Sequence, residues 1–127
     1  MPPIFAALMS ANGLEALERF THFKKLVGPV EVDILVADTT VSVQFSFVIN
    51  QLELPKFTIL NEQLLLLDLA RQGSGQKITP LFVETPFDYE EESLAILACP
   101  VQKSDSNRLV FDIKDLEKVF LTQNNIM

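Results

Sequence analysis

The period of the apolar positions changes several times along the chain, and each change marks an element. Ile4 to Met9 form a short apolar run behind Pro2 and Pro3 that stops at Ser10, which predicts a short first helix. Asn12 stands three residues before Glu15, a variant of the capping box, and Ala16, Phe20, Phe23 and Val27 recur at helical spacing up to Gly28. After Pro29 the period falls to two. Val30, Val32, Ile34 and Val36 alternate with Glu31 and Asp33, as a half-exposed strand does. Asp38, Thr39 and Thr40 can turn the chain, and Val41, Val43, Phe45, Phe47 and Ile49 then alternate with Ser42, Gln44 and Ser46. The two strands are expected to pair as an antiparallel hairpin.

Pro55 suits the start of a helix, and Phe57 through Arg71 is rich in helix formers until Gly73-Ser74-Gly75 closes it. The leucine run from Leu64 to Leu67 predicts burial on more than one side of this helix. Ile78 to Glu84 reads as a short strand ended by Pro86, and Asp88 with Glu91 repeats the helix-start signature, predicting a helix over Asp88 to Ala98. Cys99-Pro100-Val101 then leads into a polar loop, Leu109 to Phe111 into a strand, and Lys114 to Leu121 into a last helix. No internal repeat or interdomain linker interrupts residues 1–127. The expectation is one α+β domain, an antiparallel sheet with a hairpin, packed by about three to five helices.

Composition narrows the function more by exclusion than by pointing. A chain of 127 residues can bury a core without covalent staples, and 48% hydrophobic residues argue against disorder. Ten Lys and Arg against 17 Asp and Glu give a net charge of −7, a surface that repels a phosphate backbone. A single cysteine forms no internal disulfide, and the opening residues do not read as a secretion leader, so a cytoplasmic protein is expected. Apolar runs such as Leu64 to Leu67 fall far short of the ~20 residues of a membrane span, so no membrane is expected as partner.

Candidate chemistry is sparse. Cys99 and His22 are a nucleophile and a base by type, yet nothing in the sequence brings them together or adds an orienting group, and a free cysteine most often packs as a small apolar residue. Asp88, Glu90, Glu91 and Glu92 fit no calcium-loop spacing and are explained by a helix's first turn. His22, Lys24 and Lys25 share a neighbourhood that suits an anionic ligand or a solvated face. Ten phenylalanines and no tryptophan leave Phe45 and Phe47 as candidates for an apolar pocket, with His22 as its polar member. No catalytic residue, metal site or cofactor motif is assigned, and an enzyme is not expected.

The order of segments carries a further signal: "AALMSANGLEALERFTHFKKLV" at 6–27, "LLLLDLARQ" at 64–72, "ITPLFVETPFDYEEE" at 78–92 and "ACPVQKSDSNRLVFDIKDLEKVFLTQNN" at 98–125. Together these resemble the N-terminal, arabinose-binding-type sensing domain of AraC-type transcriptional regulators. The matching features are Leu14, Glu15, Ala16 and Leu17 in the first long helix, the Cys-Pro-Val step, Asn107, Leu109 and Phe111 around a strand, and Leu116 in the final helix. The chain departs from the pattern at Lys103, where an aromatic is common, and at Glu84, where a histidine is frequent. The resemblance implies a domain that binds an unknown small-molecule effector, for which a homodimer is one possible assembly, and that reaches DNA only through a helix-turn-helix domain that this sequence lacks. It therefore also implies an excised fragment of a longer regulator. The alternative that the acidic composition leaves open is a free-standing protein-interaction module, such as a secretion chaperone or toxin-neutralising protein.

Overall fold

A computed structural model describes residues 10–26, 30–47 and 56–118. Within them the chain forms α1 (Gly13–Leu26), β1 (Val30–Val36), β2 (Thr40–Phe47), α2 (Lys56–Ser74), β3 (Phe82–Thr85), α3 (Glu91–Leu97), β4 (Val101–Lys103), β5 (Asn107–Asp112) and α4 (Ile113–Leu116). The fold is α+β, as expected. The predicted helix over Ile4 to Met9 lies outside the described residues.

Asn12 caps α1 as its spacing suggests: its Oδ1 accepts the backbone N–H of Glu15 at 2.9 Å. β1 and β2 form the expected hairpin, with Val32 opposite Phe45 and Ile34 opposite Val43. Val30 and Val32 are buried against α1, but the apolar alternation loses its cover toward the turn, where Leu35 is 67% and Val36 48% exposed. On β2, Val41, Val43 and Phe45 face the core, while Ser42, Gln44 and Ser46 occupy the alternate face.

The sheet has five strands in the order β1-β2-β5-β3-β4. β5 enters between β2 and β3 and is antiparallel to both, with Leu109 opposite Val43 on one side and Val83 on the other. The expectation of an antiparallel sheet holds for all but the last pair. β4 runs parallel to β3, Val83 against Val101 and Thr85 against Lys103. A parallel neighbour needs a crossover, and α3 supplies it.

α2 extends from Lys56 to Ser74, through Gly73, and stops at Gly75, whose φ of 68° is the left-handed conformation glycine accepts without penalty. Ile59, Leu60, Leu66, Leu67, Leu69 and Ala70 are buried in one cluster with the inner face of the sheet, whereas Leu65 is 40% exposed, so the leucine run covers a broad stripe but not the whole circumference. The strand expected from Ile78 begins only at Phe82. The reason is Pro80, which cannot donate to a ladder, and the Ile78 carbonyl, which accepts Arg71 Nε at 2.7 Å. The helix expected from Asp88 begins at Glu91, because Asp88 is used elsewhere: its side chain pairs with Lys103 and its carbonyl accepts Lys56 Nζ at 2.8 Å. The last helix starts at Ile113, with Asp112 Oδ1 accepting the N–H of Lys114 at 2.9 Å, and ends at Leu116, while residues 119–121 of the expected helix lie outside the described residues.

Candidate functional site

The Cys-Pro-Val step is where local geometry becomes site geometry. α3 ends at Ala98, whose φ of 56° is left-handed, and the turn places Pro100 so that its carbonyl accepts the N–H of Val83 at 2.9 Å. That bond starts the parallel pairing of β4. Cys99 packs half-buried against the core, and burial pushes its thiol pKa up, with the Arg71 guanidinium opposing only in part. A raised pKa keeps the thiolate scarce, so Cys99 has the character of a packing residue. Arg71 fastens this corner: Nη1 donates to the Ile96 carbonyl at 2.9 Å while Nε holds Ile78.

Between α3, β4 and the segment joining β3 to α3 lies a recess of about 190 Å³ lined by Phe87, Asp88, Tyr89, Leu94, Val101 and Lys103. Its walls are apolar, and its rim carries an opposite-charge pair, Lys103 Nζ to Asp88 Oδ1 at 2.5 Å. Lys103 lowers the Asp88 carboxyl pKa by hydrogen bonding and by charge. Lys56 reaches over from α2 to Glu90 Oε1 at 3.0 Å, and so ties the same segment to the start of that helix.

Behind the recess sits a buried polar cluster. Tyr89, one wall of the recess, donates its hydroxyl to Gln63 Oε1 at 2.7 Å. Gln63 comes from the middle of α2 and has no exposed surface, yet its Nε2 finds no acceptor. Thr85 Oγ1 donates to Asn107 Oδ1 at 2.8 Å and accepts the N–H of Phe87 at 3.2 Å. Burial raises the Tyr89 pKa, with the Thr85 side chain opposing the rise. A buried amide donor left unpaired is uncommon in native proteins and costs roughly 1–3 kcal/mol.

The residues singled out from the sequence are spread over other places. His22 is exposed and lines a shallower hollow of about 310 Å³ beside β1, together with Glu18, Thr21, Asp33 and Ile34. Phe45 is 2% exposed within the core. Phe47 pairs with Val30 at the end of β2, and its side chain falls outside the described residues. Lys24 is held by Glu62 at 2.6 Å in a half-buried α1–α2 bridge and also lies over the Phe20 ring. Among the described residues no group of three His, Cys, Asp or Glu side chains is placed to hold a metal ion, and no helix is long and apolar enough to cross a membrane. Gln63 and Tyr89 escaped the sequence reading because a glutamine just before a leucine run and a tyrosine before three glutamates carry no motif. The one available signal was a polar side chain at position 63, on the same helical face as the buried Ile59, Leu66 and Leu67.

The arrangement resembles a known fold. The chain superposes on the crystal structure of the transcriptional regulator CdpR from Pseudomonas aeruginosa with a TM-score of 0.64 and 16% identity, over 98% of this chain and 43% of that one. The two share a fold. This chain thus spans less than half the length of that regulator. No family model matches the sequence, and no curated protein does.

Proposed function

We propose that this chain is the effector-sensing domain of an AraC-type transcriptional regulator, which binds a small molecule and passes its bound state to a DNA-binding domain. The observation that carries this reading is the fold shared with a transcriptional regulator over 98% of the chain. The order of sequence blocks supports it independently, and the Cys-Pro-Val step leads into β4, whose Val101 and Lys103 line the recess. This reading requires no chemistry of the domain. Its output is a shift between conformations or dimer arrangements, and an effector produces such a shift only by binding one state more tightly than the other.

The recess at Phe87, Tyr89, Leu94 and Val101 is the proposed effector site. It combines apolar walls with a few convergent polar groups, the mixture expected of a small-molecule site. It also borders segments tied to α2 through Lys56 and Gln63, so that occupancy can be felt along a helix of 19 residues. The test is a thermal-denaturation screen of small metabolites against the chain, followed by sedimentation and by NMR mapping for each compound that raises Tm. A hit that perturbs the recess and changes conformation or oligomeric state supports the reading. Hits that bind without changing either would refute it.

A further inference from the structure

The unpaired amide of Gln63 restricts what the recess can recognise, given the reading above that the recess is the effector site. Gln63 Oε1 is taken by the Tyr89 hydroxyl at 2.7 Å, while Nε2 on the same fully buried side chain has no partner. Tyr89 lines the recess, and its hydroxyl is bonded to an amide that has one hydrogen-bonding atom satisfied and one idle. A ligand whose polar end both accepts and donates would satisfy both atoms at once, taking over the place of the Tyr89 hydroxyl. A carboxamide does this with two reciprocal hydrogen bonds. A carboxylate only accepts and would face Gln63 Oε1 with like polarity, and an ammonium only donates and would leave Nε2 idle. The recess is small, about 190 Å³, so the body of the ligand is short. Phe87, Leu94 and Val101 make that body apolar.

We infer that the recess binds a small molecule with a carboxamide-like end, read by Gln63 after displacement of the Tyr89 hydroxyl, and a short apolar body held by Phe87, Leu94 and Val101. Displacing Tyr89 disturbs the segment from Pro86 to Glu90, which Lys56 anchors to α2 through the Asp88 carbonyl and Glu90. Ligand recognition and a change in the attachment of α2 are then one event.

The experiment uses three probes that share an isobutyl body and differ only in the polar end: isovaleramide, isovalerate and isoamylamine. Each is titrated into the full chain by NMR, with Tyr89→Phe and the double variant Gln63→Met with Tyr89→Phe alongside. The double variant removes both members of the buried pair, a change that can be nearly neutral for stability, and its Tm is checked first. The expected result is that isovaleramide binds with chemical-shift changes at Phe87, Tyr89, Leu94 and Val101, at least about tenfold more tightly than the other two. It should bind more tightly still to Tyr89→Phe, where no hydroxyl competes, and lose the amide preference in the double variant. Equal binding of the three probes, or an amide preference that survives in the double variant, overturns the role of Gln63 while leaving the recess as the site. Binding of isovaleramide to neither the wild type nor Tyr89→Phe also overturns the inference. The reading of the recess itself falls only if the metabolite screen gives effectors whose shift changes all lie elsewhere.

Discussion

Replacing Arg71 with methionine keeps the aliphatic stem and removes the guanidinium that fastens α2 to two other segments. Two hydrogen bonds are lost: Nε to the Ile78 carbonyl at 2.7 Å, which is partly buried, and Nη1 to the Ile96 carbonyl at 2.9 Å, which is exposed. Hydrogen bonds from a charged donor are worth about 1.5–3 kcal/mol when sheltered; the lower end suits the first bond, and roughly 0.5–1 kcal/mol suits the solvated second. Against this, methionine relieves the buried Nη2, which has no acceptor and whose unpaired state costs about 1 kcal/mol. The balance is a loss of about 1–2 kcal/mol. For a domain of 127 residues that corresponds to a Tm lower by roughly 3–8 °C. Urea denaturation should show a lower midpoint with an unchanged slope, since the surface exposed on unfolding is nearly the same. Arg71→Lys should recover about half of the loss, because an ammonium is a point charge that reaches one carbonyl and not both. The Cys99 thiol provides a second readout: Arg71 holds its pKa down, so alkylation of the folded methionine variant near pH 8 should be slower than in the wild type. A methionine variant as stable as the wild type would show that desolvation of the guanidinium cancels its bonds, and the account of this corner would be wrong.

Four further outcomes are expected. Ala98→Gly should stabilise the domain by about 0.5–1 kcal/mol in urea melts, because the φ of 56° at the end of α3 is strained for alanine and free for glycine. Thr85→Val should cost about 2–4 kcal/mol, since it leaves both Asn107 Oδ1 and the Phe87 N–H without their buried partner; a neutral result would show that water replaces the hydroxyl. Gly13→Ala should lose about 1–2 kcal/mol despite its better helix propensity, because the new Cβ would lie 3.1 Å from the Leu116 carbonyl oxygen and 3.2 Å from its Cα, backbone that moves only if α4 moves. Burial raises the pKa of both Tyr89 and Cys99, so the neutral forms are favoured in the folded state. Their contribution is complete below the unfolded values of about 8.5 for Cys and about 10 for Tyr, and is lost as pH rises through the higher folded values. Tyr89→Phe should therefore weaken the loss of stability above about pH 10 in a pH series of melts.

The hairpin, the capped α1 and the long α2 were legible because each rests on a local signal: the Asn12 spacing, the alternation from Val30 to Phe47, and Gly75 at a helix end. β4 was not. Val101 to Lys103 is a strand of three residues, too short for any periodicity, and it exists because Pro100 is brought beside Val83 by the turn at Ala98. The start of α3 was misplaced for a related reason, since Asp88 looks like a cap in sequence but is recruited by Lys103 and Lys56 from other elements. Of the residues nominated for a pocket, His22 does line a hollow, while Phe45 fills the core as its alternation pattern equally allowed. The Gln63–Tyr89 contact joins residues 26 positions apart, and its meaning depends on burial that no local pattern encodes.

The placement of β4 also sets how the domain breathes. β4 is three residues long, stands at the sheet margin and, among the described residues, pairs with β3 alone, whereas β5 is flanked on both sides. Such a strand is the natural boundary of a small cooperative unit that opens without global unfolding. Amide hydrogen exchange should therefore be fastest, among the strands, at Val101 to Lys103, and slowest at the centre of β5. The recess shares its wall with this loosest unit, so a molecule bound there would slow exchange along β4 and leave β5 unchanged, a difference that reports occupancy without any label on the ligand.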